Sequence, residues 1–224
     1  MKIGDFDLSR DDAWRIAQSY AALHGDTVLY YDLGGDLKGS PGADSGAEPV
    51  DGVTLADLGR LVVFNAQLRA NDVATLMTLE INHVLDPAVL PPDARLEDWG
   101  SGTPWDDAAT AAYDAFRPGP GSGIQRAKRS KLLHLKRPWL VPIHDSRIDV
   151  IYGGAARERG RSRGGPAAYW EVIRDDLVAN GADLEWLSAQ LRDSDDASQR
   201  RMGQLTSLRL LDVLAWSLDK ERAA

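Results

Sequence analysis

No stretch of this chain alternates apolar and polar residues with period two for long enough to build a sheet, whereas apolar stripes at helical spacing recur from end to end. Ser9 and Asp12 have the spacing of an N-cap and its third helical residue, and they precede Trp14, Ile16, Ala17, Ala21 and Leu23 in a helix expected to end near Gly25. Thr54 and Asp57 repeat that pattern before LADLGRLVVFNAQ, and a further helix is expected from Asn71 to about Leu85, ahead of LDPAVLPPD. Thr103-Pro104 opens another, with Asp106 at the positive end of its dipole. PAAYWEVIRDDLVANG, ADLEWLSAQLRD and SLRLLDVLAWSLDKER complete the set. TVLYYD reads as one short strand, residues 34–52 as a flexible polar loop rich in Gly, Pro, Ser and Asp, and RERGRSRGG (157–165) as a mobile loop. The fold class expected is all-α, a two-lobed helical bundle in one domain covering 1–224. Residues 54–152 form one lobe and the two chain ends the other.

Composition narrows the chemistry. The chain has no cysteine, which excludes disulfides, zinc-thiolate sites, cysteine-ligated clusters and a cysteine nucleophile. His24, His83, His134 and His144 lack metal-ligand spacing, so no metal and no cofactor is expected. MKIGDFDLSRDD has no apolar signal core and no run reaches the length of a membrane span, so a cytoplasmic protein without membrane attachment is expected; no sequence feature sets the oligomeric state, and a monomer is the default.

The net charge is −8, but its distribution is uneven. Residues 117–163 hold twelve Lys and Arg against Asp145, Asp149 and Glu158, giving +9, while the remainder of the chain sums to −17. A regional field of that sign attracts polyanions to one face, and a solvated charged surface is the plainer reading. Within this region RPGPGSGIQRAKRSKLLHL reads as a glycine-rich turn into a helix, whose free backbone N–H groups suit a phosphate oxygen. Arg126, Lys128, Arg129 and Lys131 cluster at the same end.

Downstream, Pro142-Ile143-His144-Asp145-Ser146-Arg147-Ile148 completes a pattern that resembles the helix-hairpin-helix superfamily of DNA glycosylases. There LPGVGxKTA is followed by an apolar helix and a segment ending PVDTHV. Gly123-Ile124-Gln125 falls on the GVG, with Asp145 twenty residues after Gln125. Gly121-Ser122 replaces the Leu-Pro, Gln125 stands where the second hairpin glycine belongs, and the register Gly121-Ser122-Gly123 restores both glycines at the cost of a longer gap. More narrowly, SKLLHLKRPWLVPIHDSRI together with SLRLLDVLAW is similar to an uncharacterised bacterial domain family typified by SKLLxxKRPxLxPxxDSxV and LRxLDVxxW, from about Val53 to Trp216.

The glycosylase resemblance implies a monofunctional enzyme on double-stranded DNA that hydrolyses the N-glycosidic bond of a damaged or modified base. Asp145 is then the catalytic carboxylate, stabilising positive charge that develops on the sugar; as a plain N-cap it would open the next helix without catalysis. Gly121, Gly123, Gln125, Arg126, Lys128, Arg129, Lys131, Trp139, His144 and Arg147 are the implied DNA contacts. Ala127 stands where lyase-active members have a lysine, so no Schiff-base chemistry is expected. Trp216 and most other tryptophans are assigned to the core. Two alternatives stay open: a non-catalytic protein recognising DNA structure, and an enzyme using the fold on a small nucleoside-like substrate.

Overall fold

The computed structural model describes residues 1–33, 53–78, 85–116, 124–163 and 167–222. It is all-α apart from a two-stranded antiparallel ribbon, β1 (Lys2–Ile3) with β2 (Phe6–Asp7). The ribbon is fastened to distant sequence: Lys2 and Asn180 exchange two hydrogen bonds of 2.8 and 2.6 Å.

Ten α-helices occur among the described residues: α1 (Arg10–Thr27), α2 (Leu55–Val63), α3 (Ala70–Thr78), α4 (Asp106–Ala115), α5 (Arg126–Lys136), α6 (Ser146–Arg163), α7 (Ala167–Ala179), α8 (Gly181–Arg192), α9 (Ala197–Met202) and α10 (Ser207–Arg222). Local chemistry starts several of them. Ser9 Oγ accepts the Asp12 N–H at 3.1 Å to cap α1, and Thr54 with Asp57 forms a complete capping box on α2. The Asp106 carboxylate accepts the Gly100, Gly102 and Thr103 N–H groups just before α4.

The first helix packs against α8, α9 and α10, while α2 packs on α5, α5 on α4, and α6 on both α7 and α10. One continuous apolar core runs through all of these contacts, from Ile3 and Ile16 through Leu132 and Ile148 to Leu214. The two chain ends therefore meet, and the middle of the chain closes over them.

Two segments differ from the sequence expectation. TVLYYD is not a strand: α1 reaches Thr27, bends at His24 (φ −128°, ψ 19°), and passes into a π-helix over Val28–Asp32. Tyr31 dictates that outcome, because its ring stacks on Phe64 at 4.1 Å and its hydroxyl donates to the Lys131 carbonyl at 2.7 Å. RERGRSRGG is helical through Arg163, since α6 continues along α7. The helix expected over 71–85 is described from Ala70 to Thr78, with 79–84 outside the described residues. The 34–52 segment and residues 117–123, where the glycine-rich turn with Gly121 and Gly123 is expected, lie outside them as well. No helix among the described residues is long and apolar enough to cross a membrane.

Candidate active site

A cavity of about 490 Å³ opens where α1, α2, α5, α6 and α10 converge. Helical spacing explains its walls. Ala127 and Lys131 are four residues apart on α5, while Arg209, Asp212 and Trp216 lie at i, i+3 and i+7 on α10. Tyr20 and His24 come from α1, at the bend. Phe64 and Asn65 follow the end of α2, where Asn65 adopts φ 54° and lets the Ala66 N–H reach back to the Leu61 carbonyl at 2.9 Å. That turn delivers Phe64 to the cavity.

Asp145 enters from the start of α6. Its Oδ1 accepts the N–H groups of Arg147 and Ile148, each at 3.1 Å, so it caps the helix. The capping bonds fix the orientation of a half-buried carboxylate at the cavity wall. Arg147 places its guanidinium 4.5 Å above the Trp216 ring, and Trp216 meets Tyr20 and His24 edge-on at 5.8 and 5.4 Å. Half-buried Trp216 packs against the core, as expected, and also forms a cavity wall.

Beneath these groups lies a buried charge network. Arg209 donates to Asp32 at 2.8 Å, to Asp212 through a short bond, and to the Tyr20 hydroxyl at 3.2 Å. Its guanidinium also lies 4.8 Å from the Phe64 ring centre. Burial pushes the Asp212 carboxyl up to about 7; Arg209 opposes the shift, and the neighbouring Asp145 and Asp32 add to it. Burial also lowers the Lys131 ammonium, against the fields of Asp145 and Asp212. Its Nζ donates to the Phe64 carbonyl at 3.3 Å and sits 4.6 Å over that ring.

The residues singled out from sequence divide into groups. Asp145, Lys131 and Arg147 meet in the cavity. Gln125 caps α5 with extended backbone (φ −91°, ψ −178°), so it takes no left-handed conformation, and Arg126 is exposed beside it. Lys128 is paired with Asp72 at 2.7 Å. Arg129 is buried, with its guanidinium 4.2 Å from the Tyr113 ring centre, away from any exposed helix start. His144 is buried, stacked on Tyr169 at 3.7 Å, and held 3.1 Å from Asp149. Trp139 lines a different depression of about 230 Å³, with Arg95 4.4 Å over its ring.

The sequence expectation overlooked Asp212, Arg209 and Asp32. The available signal was the polar and aromatic spacing at 209, 212 and 216 within an otherwise apolar stripe. No group of three or more His, Asp or Glu side chains able to hold a metal ion occurs among the described residues. The cavity instead combines two carboxyl groups, an ammonium and aromatic walls. Such a set can seat a planar heterocycle and stabilise positive charge beside it.

No curated protein and no solved structure matches the chain. Residues 41–219 match the model of a family of unknown function, DUF6308. That span includes every cavity wall except the three α1 residues Tyr20, His24 and Thr27, and the chain belongs to this family.

Proposed function

We propose that the protein hydrolyses the N-glycosidic bond of a damaged or modified base in double-stranded DNA, without a lyase step. One observation supports this reading above the rest: Asp145, held by two backbone N–H groups, stands at a cavity large enough to admit a nucleobase, walled by Trp216, Tyr20 and Phe64. Cleavage of such a bond develops positive charge on the sugar, and a pre-oriented carboxylate lowers that barrier without reorganising. A base inside a duplex reaches a cavity only by leaving the stack, and aromatic walls replace the stacking it loses.

Lys131 is assigned the role of a cation beside Asp145, its Nζ donating to the Phe64 carbonyl and lying over that ring; a complex trapped by borohydride would show it to be a Schiff-base nucleophile instead. A second substrate class is favoured by a different observation. Arg129, Lys136 and Arg137 are buried and Lys128 is paired, so much of the positive charge of 117–163 is unavailable to a polyanion. A small nucleoside-like substrate needs no such surface.

The test incubates the protein with duplexes that each contain one damaged or modified base, and with the corresponding free nucleosides. Alkaline cleavage of the duplexes and chromatography of released bases give the readouts. Strand breaks that require alkali are expected. Release from free nucleosides alone transfers the reading to the small substrate, and release from neither overturns N-glycosidic chemistry.

A further inference from the structure

We infer that Asp212 is the proton donor to the departing base, a second catalytic carboxyl in the cavity that contains Asp145; this rests on the reading above. Asp212 is 8% exposed and lines the cavity from α10. One of its oxygens, Oδ2, accepts from Arg209, while Oδ1 is enclosed and has no hydrogen-bond partner. An ionised oxygen in that position forgoes hydration without replacement, which is strongly unfavourable. A protonated Oδ1 avoids that cost, and because the residue lines the cavity, a turn of the carboxyl toward it brings the proton to a ring nitrogen of a base seated there.

Charge balance points the same way. Arg209 neutralises Asp32 at 2.8 Å as well as bonding to Asp212, so one buried cation serves two carboxyls. A proton on Asp212 leaves Arg209 paired one to one with Asp32, while Lys131 faces Asp145 and Asp212 through its field. The other groups around it are Lys131 from α5 and Asp145 at the start of α6. Tyr20 from α1, Tyr31 from the π-helix, Tyr152 from α6 and Tyr169 from α7 all have hydroxyls raised by burial and remain neutral. Asp212 is accordingly a buried carboxyl raised to about 7, and His24 from α1 is the further titratable group on the cavity wall, whose limb would survive Asp212→Asn.

The step balances as follows. The C–N bond breaks with its electron pair going to the base nitrogen, which takes the proton from Asp212. Water adds to the anomeric carbon, and the proton it loses passes through the Asp145 carboxylate to solvent. Asp212 is then reprotonated from solvent. No other reactant is needed.

The experiment compares the parent and Asp212→Asn on two duplex substrates under single turnover. One contains an uncharged damaged base, which needs a proton to leave. The other contains N7-methylguanine, whose cationic base leaves as a neutral molecule. Loss of a general acid is expected to slow the first by about 10²-fold or more and the second by less than about threefold. In the parent, release of the uncharged base is expected to fall about tenfold per pH unit above the Asp212 transition, and Asp212→Asn is expected to lose that limb.

Equal slowing on both substrates, or none, overturns the inference and leaves the proposed function standing. A parent that releases only N7-methylguanine overturns it likewise. If the parent acts only on uncharged bases, or if Asp212→Asn fails to fold, the pH profile decides: a limb that persists in the variant, or a parent rate flat between about pH 5.5 and 8.5, contradicts a proton donor of this kind. A parent that releases no base at all overturns the proposed function, and the inference with it.

Discussion

Helix α5 and the second half of α6 are both rich in cations, yet they place them in opposite environments. On α5 and its cap, Arg129, Lys131, Lys136 and Arg137 are all buried. Lys136 pairs with Asp57 at 2.6 Å, both side chains being less than a tenth exposed. Arg137 gives its guanidinium to the carbonyls of Leu90 and Lys136 at 3.0 and 2.8 Å. On α6, Arg157 and Arg159 are exposed, and Arg159 pairs with the exposed Asp175 at 2.7 Å. A cation count along a sequence therefore overstates the positive surface whenever a basic run falls on a helix packed on several sides. The buried α5 cations fix the fold and one cavity wall, and among the described cations of 124–160 it is Arg126, Arg147, Arg157 and Arg159 that are placed to meet a polyanion.

The largest effect expected from this contrast follows removal of a buried partner. Asp57→Ala leaves the Lys136 charge enclosed and is expected to cost about 3–5 kcal/mol in urea denaturation. Adding Lys136→Met should restore much of that loss. Little recovery would mean that the ion pair is not what holds α2 to α5.

The same helix buries His134 as a neutral ring, with Nδ1 donating to the Val141 carbonyl at 2.8 Å and burial lowering the imidazole to about 3. Between that value and 6.5 the unfolded chain binds the extra proton, so stability present above 6.5 is lost as pH falls. The expected loss from this group by pH 5 is about 2 kcal/mol. Asp212 has the opposite sign. Its raised folded value gives stability that is full below 3.8 and is lost as pH rises toward about 7. The two opposing slopes overlap, and Asp212→Asn should steepen the acid limb by up to about 1.4 kcal/mol per pH unit. Urea midpoints taken across the acid range for parent and variant measure this, and identical slopes would contradict the assignment.

Smaller still is the cap. Asp145→Ala is expected to cost about 1 kcal/mol and Asp145→Asn a few tenths, because asparagine caps nearly as well. Reversing Arg157 or Arg159 to Glu should change stability by less than about 0.5 kcal/mol. Reversing Arg126 or Arg147 should weaken duplex binding for all sequences alike, each lowering the salt slope by about 1. A duplex affinity insensitive to salt would favour the small substrate.

What the sequence made legible was local. The caps at Ser9 and Thr54 and the stripe of α10 rest on contacts within a few residues and appear as expected, while α4 starts at Asp106, two residues after Pro104. TVLYYD was misread because β-branched and aromatic residues favour strands locally, while the contact of Tyr31 with Lys131 spans 100 positions. Asp145 was legible through its motif. Asp212 was not, since its importance depends on Arg209 being shared with Asp32, 177 residues away. Trp216 was read as core and packs there, but its second role as a cavity wall was not legible, since it depends on Tyr20 and His24 of α1.

The most direct measurement is the single-turnover rate of base release by the parent and by Asp145→Asn on a duplex that the parent processes, with duplex affinity and folding measured alongside. The substitution keeps the cap and the shape while removing the negative charge. The rate is expected to fall about 10²–10³-fold with affinity and folding nearly unchanged. Release at the parental rate would contradict the account and leave Asp145 as a helix cap alone.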